Sequence, residues 1–229
     1  MSSESVLVAG VGPGLGIAVA ARFAREGYRV AMLARDRDKL AALAAQAPDR
    51  LVPIACDVTD PKQVNAAFEE TERTLGPLAC VVSNAGAYRR GSILDIDPKD
   101  FEYCWRVGTF AGVLVGQAAA RRMVPRGSGT ILFTGATASL RGGANFVNLA
   151  SPKFALRAVA QSMARELGPR GIHVAHIIID GQIGDDDAAP APDGRLRPEA
   201  IAQAYLDLHR QHRSAWSQEI DLRPWVEKF

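Results

Sequence analysis

The stretch SVLVAGVGPGLGIAVAARFA, residues 5–24, decides the fold. A short apolar, β-branched run ends at Gly10 and passes directly into a turn holding Gly12, Gly14 and Gly16, after which a helix-length amphipathic segment begins. A strand, a glycine-crowded turn and a helix in immediate succession read as the opening unit of a parallel α/β sheet. Glycines at such a turn let backbone N–H groups and the positive helix N-terminus approach an anion such as a pyrophosphate. The spacing Gly10-x-x-x-Gly14-x-Gly16 departs from the G-x-G-x-x-G fingerprint, because Leu15 stands where its third glycine belongs. A turn made glycine-rich by packing alone is the competing reading.

Further apolar runs recur outward from this unit: RVAML (29–33), LVPIAC (51–56), LACVVS (78–83), TILFTG (130–135) and IHVAHIII (172–179). A helix-length amphipathic segment separates each from the next, which predicts a doubly wound, Rossmann-type α/β sheet covered on both faces. One domain over residues 1–229 is expected, since nothing interrupts the alternation. Asp60-Pro61, Asp97-Pro98 and Ser151-Pro152 each place a capping residue before a proline, marking three helix starts. At the third, a helix beginning a residue or two earlier, with Pro152 in its first turn, is the alternative. Residues 181–197 read as a mobile substrate-side loop, followed by a helix near 198–212 and a last strand near 219–222.

Composition narrows the partners. A net charge of +2, with both signs interspersed, leaves no basic patch for nucleic acid, so a small molecule is the expected ligand. Cys56, Cys80 and Cys104 share no metal or redox spacing and read as reduced. No apolar run approaches the roughly 20 residues of a membrane span, and the opening MSSESVLVAG shows neither a basic n-region nor an apolar h-region, so a soluble, cytoplasmic chain is expected. His209 and His212 have a metal-compatible spacing without a third ligand and read as a solvated helix face; no metal is expected.

Two later motifs agree with the glycine turn. CDVTD places Asp57 at the end of the third strand, where a carboxylate can accept from an adenine amino group, and SNAG places Asn84, Ala85 and Gly86 at the end of the fourth. In this order the motifs resemble the short-chain dehydrogenase/reductase family, whose pattern runs TGxxxGxG, an acidic residue, NNAG, a serine, then YxxxK. The resemblance spans nearly the whole chain. It implies that Gly10, Gly12, Gly14, Leu15, Gly16, Asp57, Val58, Asn84, Ala85, Gly86, Lys153, Gly181 and Ile183 contact a nicotinamide dinucleotide. After the second strand stand Ala34 and Arg35 rather than an acid. An arginine there can clasp a 2′-phosphate, which favours NADP(H) over NAD(H). A solvated Arg35, with Asp36 capping the next helix or binding the ribose, is the alternative.

The family's chemistry uses a tyrosine as proton donor, a lysine that lowers its pKa and a serine that holds the carbonyl oxygen. Counting back from Lys153 in NLASPKF puts Leu149 at the tyrosine and Ala136 at the serine, and Gly108 falls where members often carry a helix-kinking asparagine. Neither Leu149 nor Ala136 can donate a proton; together they are expected to form an apolar floor. Asp180-Gly181 replaces the family's Pro-Gly and adds a carboxylate near the expected nicotinamide pocket. Tyr88 is a candidate replacement acid, and Thr137, Ser139 and Asn145 are nearby polar groups on the loop after the fifth strand. Two functions follow: an NADP(H)-dependent oxidoreductase acting on a carbonyl or alcohol without the usual serine and tyrosine, or a non-catalytic NADP(H)-binding sensor or silent partner. The stretches GTFAGVLVGQAAA and KFALRAVAQSMA are apolar beyond one stripe, which predicts a homodimer or homotetramer.

Overall fold

β1, Ser5–Ala9, is buried at every position, as a strand flanked by neighbours and covered on both faces must be. It pairs in parallel with β2, Arg29–Ala34, on one side and with β4, Leu78–Ser83, on the other. In the computed structural model, which describes residues 4–184 and 192–227, the remaining strands are β3 (Leu51–Ala55), β5 (Gly129–Thr134), β6 (Ile172–Ile179) and β7 (Glu219–Leu222). They join one parallel sheet in the order β3-β2-β1-β4-β5-β6-β7. The order reverses between β1 and β4, and such a switch point opens a crevice at the carboxyl ends of the strands.

The two-residue period of each strand splits the core into two layers. Val6 and Val8 pack with Phe23 of α1 (Leu15–Arg25) and with Tyr205 and Leu206 of α7 (Pro198–Arg210). Leu7 and Ala9 pack on the opposite face with Phe68 of α3 (Pro61–Leu75), Val115 of α5 (Ala111–Met123) and Leu156 of α6 (Val147–Leu167). α2, Arg37–Ala44, is capped by Asp36, whose carboxylate accepts from the Lys39 N–H at 3.1 Å. Of the two roles expected for Asp36, the helix cap is present.

The first two proline-marked starts hold: Asp60 caps α3 and Asp97 caps α4, Pro98–Trp105, each accepting a backbone N–H at 2.8 Å with proline in the first turn. The third does not. α6 begins at Val147, and Pro152 lies inside it, so Leu149 is on the helix, one turn before Lys153 on the same side. The helix is opened by N–H groups of Leu149 and Ala150 that donate to the Phe146 carbonyl at 2.9 and 2.8 Å. A tertiary contact makes room for the internal proline. Gly108 lies in a π-helical turn, Arg106–Phe110, between α4 and α5, and a Cβ on Gly108 would stand 2.9 Å from Pro152 Cβ. Thr109 Oγ1 next to it donates to the Pro152 carbonyl at 2.9 Å. A π-helical turn thus stands at Gly108, the kind of irregularity that often accompanies helix bending.

Candidate active site

The turn between β1 and α1 is built by close approach. Gly10 has φ +93°, and a Cβ on it would stand 2.5 Å from the Ala85 backbone nitrogen. Gly16 is pressed against the same turn, where a Cβ would stand 2.7 Å from the Gly10 carbonyl oxygen, and Asn84 Nδ2 donates to that oxygen at 2.9 Å. Gly10, Gly16 and Asn84 therefore lock the ends of β1 and β4 together. Gly12 and Gly14 face open space instead, with nothing within 4 Å of where a Cβ on either would stand. α1 starts at Leu15 with no side-chain cap and no acid in its first turn, which leaves its N-terminal donors and positive dipole open to an anion. Leu15 sends its side chain into the core, so only its backbone can face that anion.

A cleft of about 280 Å³ continues from this turn across the switch point. It brings together Gly10, Gly12, Arg35, Asp57, Val58, Asn84, Ala85 and Gly86, and also Tyr103 and Val107, which carry no motif in the sequence. Asp57 is held by Thr59, whose N–H and hydroxyl donate to its Oδ1 at 2.9 and 2.8 Å. Arg35 is exposed at the cleft with no ionic partner among the described residues, while its neighbour Asp36 is turned away to cap α2. Gly14 lies on a separate groove with Pro13 and Ile17. A turn open at two glycines and an uncapped helix start fit the pyrophosphate of a dinucleotide, with the Arg35 guanidinium exposed at the same cleft.

Lys153 is buried, and its Nζ donates to the Thr134 carbonyl at 2.6 Å. The same Nζ lies 3.8 Å from where a Cβ on Gly86 would be, so Lys153 stands at the inner edge of the cleft. Burial pushes its pKa down to about 8, which still leaves it mostly charged at neutral pH. Beside it opens a second cavity of about 380 Å³, lined by Ala136, Thr137, Ala138, Arg141, Gly142, Gly143, Phe146, Leu149, Ile179 and Gly181. Ala136 and Leu149 thus form part of one largely carbon wall, as the expected floor required.

Tyr88 is not among the residues of either cavity. It stacks on Phe146, ring centroids 5.3 Å apart and 10° from parallel. Asp180 is buried, accepts the Thr137 hydroxyl on Oδ1, and has guanidinium nitrogens of Arg223 at 3.4 Å and Arg141 at 3.9 Å. Ile183 is exposed and bridges to Leu196 across the ends of the substrate-side loop; residues 185–191 of that loop lie outside the described residues. Pro224 closes on Gly181, and the Trp225 indole N–H donates to the Pro192 carbonyl at 3.1 Å, so the chain's C-terminal segment lies against this loop.

Ser139 is fully buried and serves structure. Its Oγ accepts the Ala136 N–H at 3.2 Å and meets His176 Nε2 at 3.4 Å, while His176 Nδ1 lies 3.0 Å from Glu219, which Arg157 grips with two bonds of 2.7 Å. The series resembles a nucleophile, base and acid, yet a serine with no exposed surface cannot meet a substrate. Asn145, another polar group of this loop, adopts φ 67°. The solvated-face reading of the histidines is corrected for His209, which turns inward to Tyr28 and Thr130 at 3.2 and 3.0 Å; His212 lies beyond α7 and is exposed. The helix points its last turn at the sheet because Phe23 and Tyr28 offer His209 aromatic packing. No group of three potential metal ligands occurs among the described residues, and burial raises all three cysteine thiols.

The chain matches the family model of short chain dehydrogenases over residues 4–181. It is 34% identical over 199 residues to the 3-oxoacyl-(acyl-carrier-protein) reductase MabA of Mycobacterium avium, covering 87% of this chain and 74% of that one. A 2-(S)-hydroxypropyl-CoM dehydrogenase 3 of Xanthobacter autotrophicus is 29% identical over 229 residues, covering 91% and 90%. Among solved structures, a short-chain dehydrogenase from Rhodopseudomonas palustris superposes with a TM-score of 0.87 at 39% identity, covering 98% of this chain and all of that one. A gluconate 5-dehydrogenase from Burkholderia cenocepacia, in complex with NADP and tartrate, shares the fold with a TM-score of 0.86 at 24% identity, covering 97% and 94%.

Proposed function

Because the chain belongs to the short-chain dehydrogenase/reductase family, we propose that it is an NADP(H)-binding oxidoreductase-type protein acting on a carbonyl or alcohol without the family's serine and tyrosine. The observation that supports this reading is a pair of cavities flanking Lys153: a cleft lined by the residues of the dinucleotide motifs, and an apolar pocket whose wall holds Leu149 and Ala136. The bound nicotinamide would supply hydride. Gly12 and Gly14 with the start of α1 would receive the pyrophosphate, Asp57 and Val58 the adenine, Arg35 the 2′-phosphate, and Lys153 the nicotinamide ribose. Gly181 and Ile183 would border the nicotinamide.

A positioned general acid contributes about 10²- to 10⁴-fold, so tyrosine-dependent turnover is expected near background while dinucleotide affinity stays ordinary. The second reading, a non-catalytic sensor or silent partner, is supported by the same two substitutions, since carbon replaces both donors. Titration of NADPH fluorescence followed by a carbonyl and alcohol activity screen separates the two. Absent binding sinks both; binding with turnover at about 1 to 10³ per second sinks the second and sends the search for a donor to Tyr88→Phe. Leu149→Tyr with Ala136→Ser should raise carbonyl reduction, since α6 already carries position 149 one turn before Lys153.

A homodimer or homotetramer is part of the same proposal. Trp105 of α4 and Phe154 of α6 are exposed on the outer helices, and large apolar side chains there favour burial against a second copy. A monomeric mass by light scattering at micromolar concentration would exclude it.

A further inference from the structure

Thr137 and Asp180 are separate features of the sequence, 43 residues apart, and the fold joins them at the wall of the apolar cavity. The Thr137 hydroxyl donates to Asp180 Oδ1. Asp180 is buried between Thr137 and two guanidinium groups, and a carboxylate in that setting only accepts. A hydroxyl has one proton and two lone pairs. With its proton committed to Asp180, Thr137 offers the cavity lone pairs alone.

The rest of the wall offers little else. Ala136, Ala138, Phe146, Leu149 and Ile179 present carbon, and Ala136 and Leu149 stand where two hydroxyl donors would otherwise be expected. Arg141 also borders the cavity, but its side chain is 56% exposed and its guanidinium leans towards Asp180 at 3.9 Å, at the solvent side of the cavity. Thr137, its proton committed to Asp180, therefore borders the cavity as an acceptor, and among the lining side chains the only other strong hydrogen-bonding group is the guanidinium of Arg141, which is drawn towards Asp180.

We propose that this pocket selects a compact apolar alcohol over the corresponding ketone, with the ligand hydroxyl donating to Thr137 Oγ1. The proposal rests on reading the cavity as the substrate pocket. A ketone would set its carbonyl oxygen against the Thr137 lone pairs, and two acceptors face to face in a desolvated site leave both unsatisfied. An alcohol supplies the missing proton and completes a chain from ligand to Thr137 to Asp180. A volume of about 380 Å³ suits a ring-sized body.

The test is isothermal titration with cyclohexanol and cyclohexanone, on the protein alone and on the protein saturated with NADP+. The alcohol should bind about tenfold more tightly than the ketone, the worth of one hydrogen bond. Thr137→Val keeps the side chain's shape without the acceptor and should erase that preference, whereas Thr137→Ser should keep it. Should the valine variant fail to fold, Thr137→Ala gives the same readout. Equal or tighter ketone binding by the unaltered protein, no millimolar binding of either probe, or a preference that survives loss of the hydroxyl would overturn the proposal. The NADP+ titration reads the cofactor proposal separately: normal NADP+ binding with no alcohol preference sinks only the selection, and absent NADP+ binding sinks only the cofactor assignment.

Discussion

The proposed choice of NADP(H) turns on one side chain, Arg35. It stands exposed at the dinucleotide cleft without an ionic partner among the described residues, and Asp36, the nearest acid, is engaged as a helix cap. The Lys39 N–H and side chain on Asp36 hold its carboxyl below the ordinary range, in keeping with a group committed to the cap. A charge-assisted contact from guanidinium to phosphate is worth about 1.5–3 kcal/mol, so Arg35→Ala should cost NADPH roughly 10- to 100-fold in affinity and leave NADH nearly unchanged. Equal affinities in the unaltered protein would remove Arg35 from that role. The positions of Ala136 and Leu149 were legible by counting back from Lys153, since spacing along one loop and helix is a local property. The Thr137–Asp180 contact was not, because it joins the loops after β5 and β6 and depends on their register in the sheet. Tyr103 and Val107 were missed for the same reason: they reach the cleft from α4 and the π-helical turn and carry no motif.

At the scale of elements, Gly108 and Pro152 are one device. Proline inside a helix removes a hydrogen bond and crowds the preceding turn, and the flat face of Gly108 is what admits it. A side chain at position 108 would meet the Pro152 ring too closely unless one of the two helices shifts. Gly108→Ala should therefore destabilise by about 1–3 kcal/mol through overpacking, read as a lower denaturation midpoint at unchanged slope. A neutral or stabilising result would show that α6 shifts freely and that the contact constrains nothing. This pair also explains the misread helix start. Ser151-Pro152 satisfies every local rule for a cap, and only a glycine from another helix reveals that the helix passes through it. Strands were read more closely, β4 and β6 to the residue, because a buried parallel strand writes its length as a mostly apolar run; β7, half-buried with Glu219 and Asp221 in it, was placed equally well without that signal. Helix ends depend on contacts that pattern alone does not carry.

For the whole molecule, the three histidines held inside the fold couple its stability to pH. His209 joins the last turn of α7 to the turn after α1 and to β5, and burial pushes its pKa down to about 4. Arg210 and His173 beside it act in the same direction as burial. Burial also lowers His173 and His176, the latter partly offset by Glu219. A histidine whose folded pKa lies below its unfolded value near 6.5 stabilises the fold while neutral, and that contribution is lost as pH falls from about 6.5 towards the folded value. For His209 the loss is about 2 kcal/mol by pH 5, or roughly 4–8 °C in a chain of this size. Glu219 and Glu26, held low chiefly by Arg157 and Arg210, lose their contributions only below the ordinary glutamate range, so the interval from pH 6.5 to 5 isolates the histidines. The melting temperature should fall across that interval, and His209→Gln, which keeps a polar group between Tyr28 and Thr130 without a proton to gain, should flatten the fall even if it lowers the value at pH 7. An unchanged slope in that variant would move the acid sensitivity to His173 and His176, on the strand that ends at Asp180 and the candidate pocket.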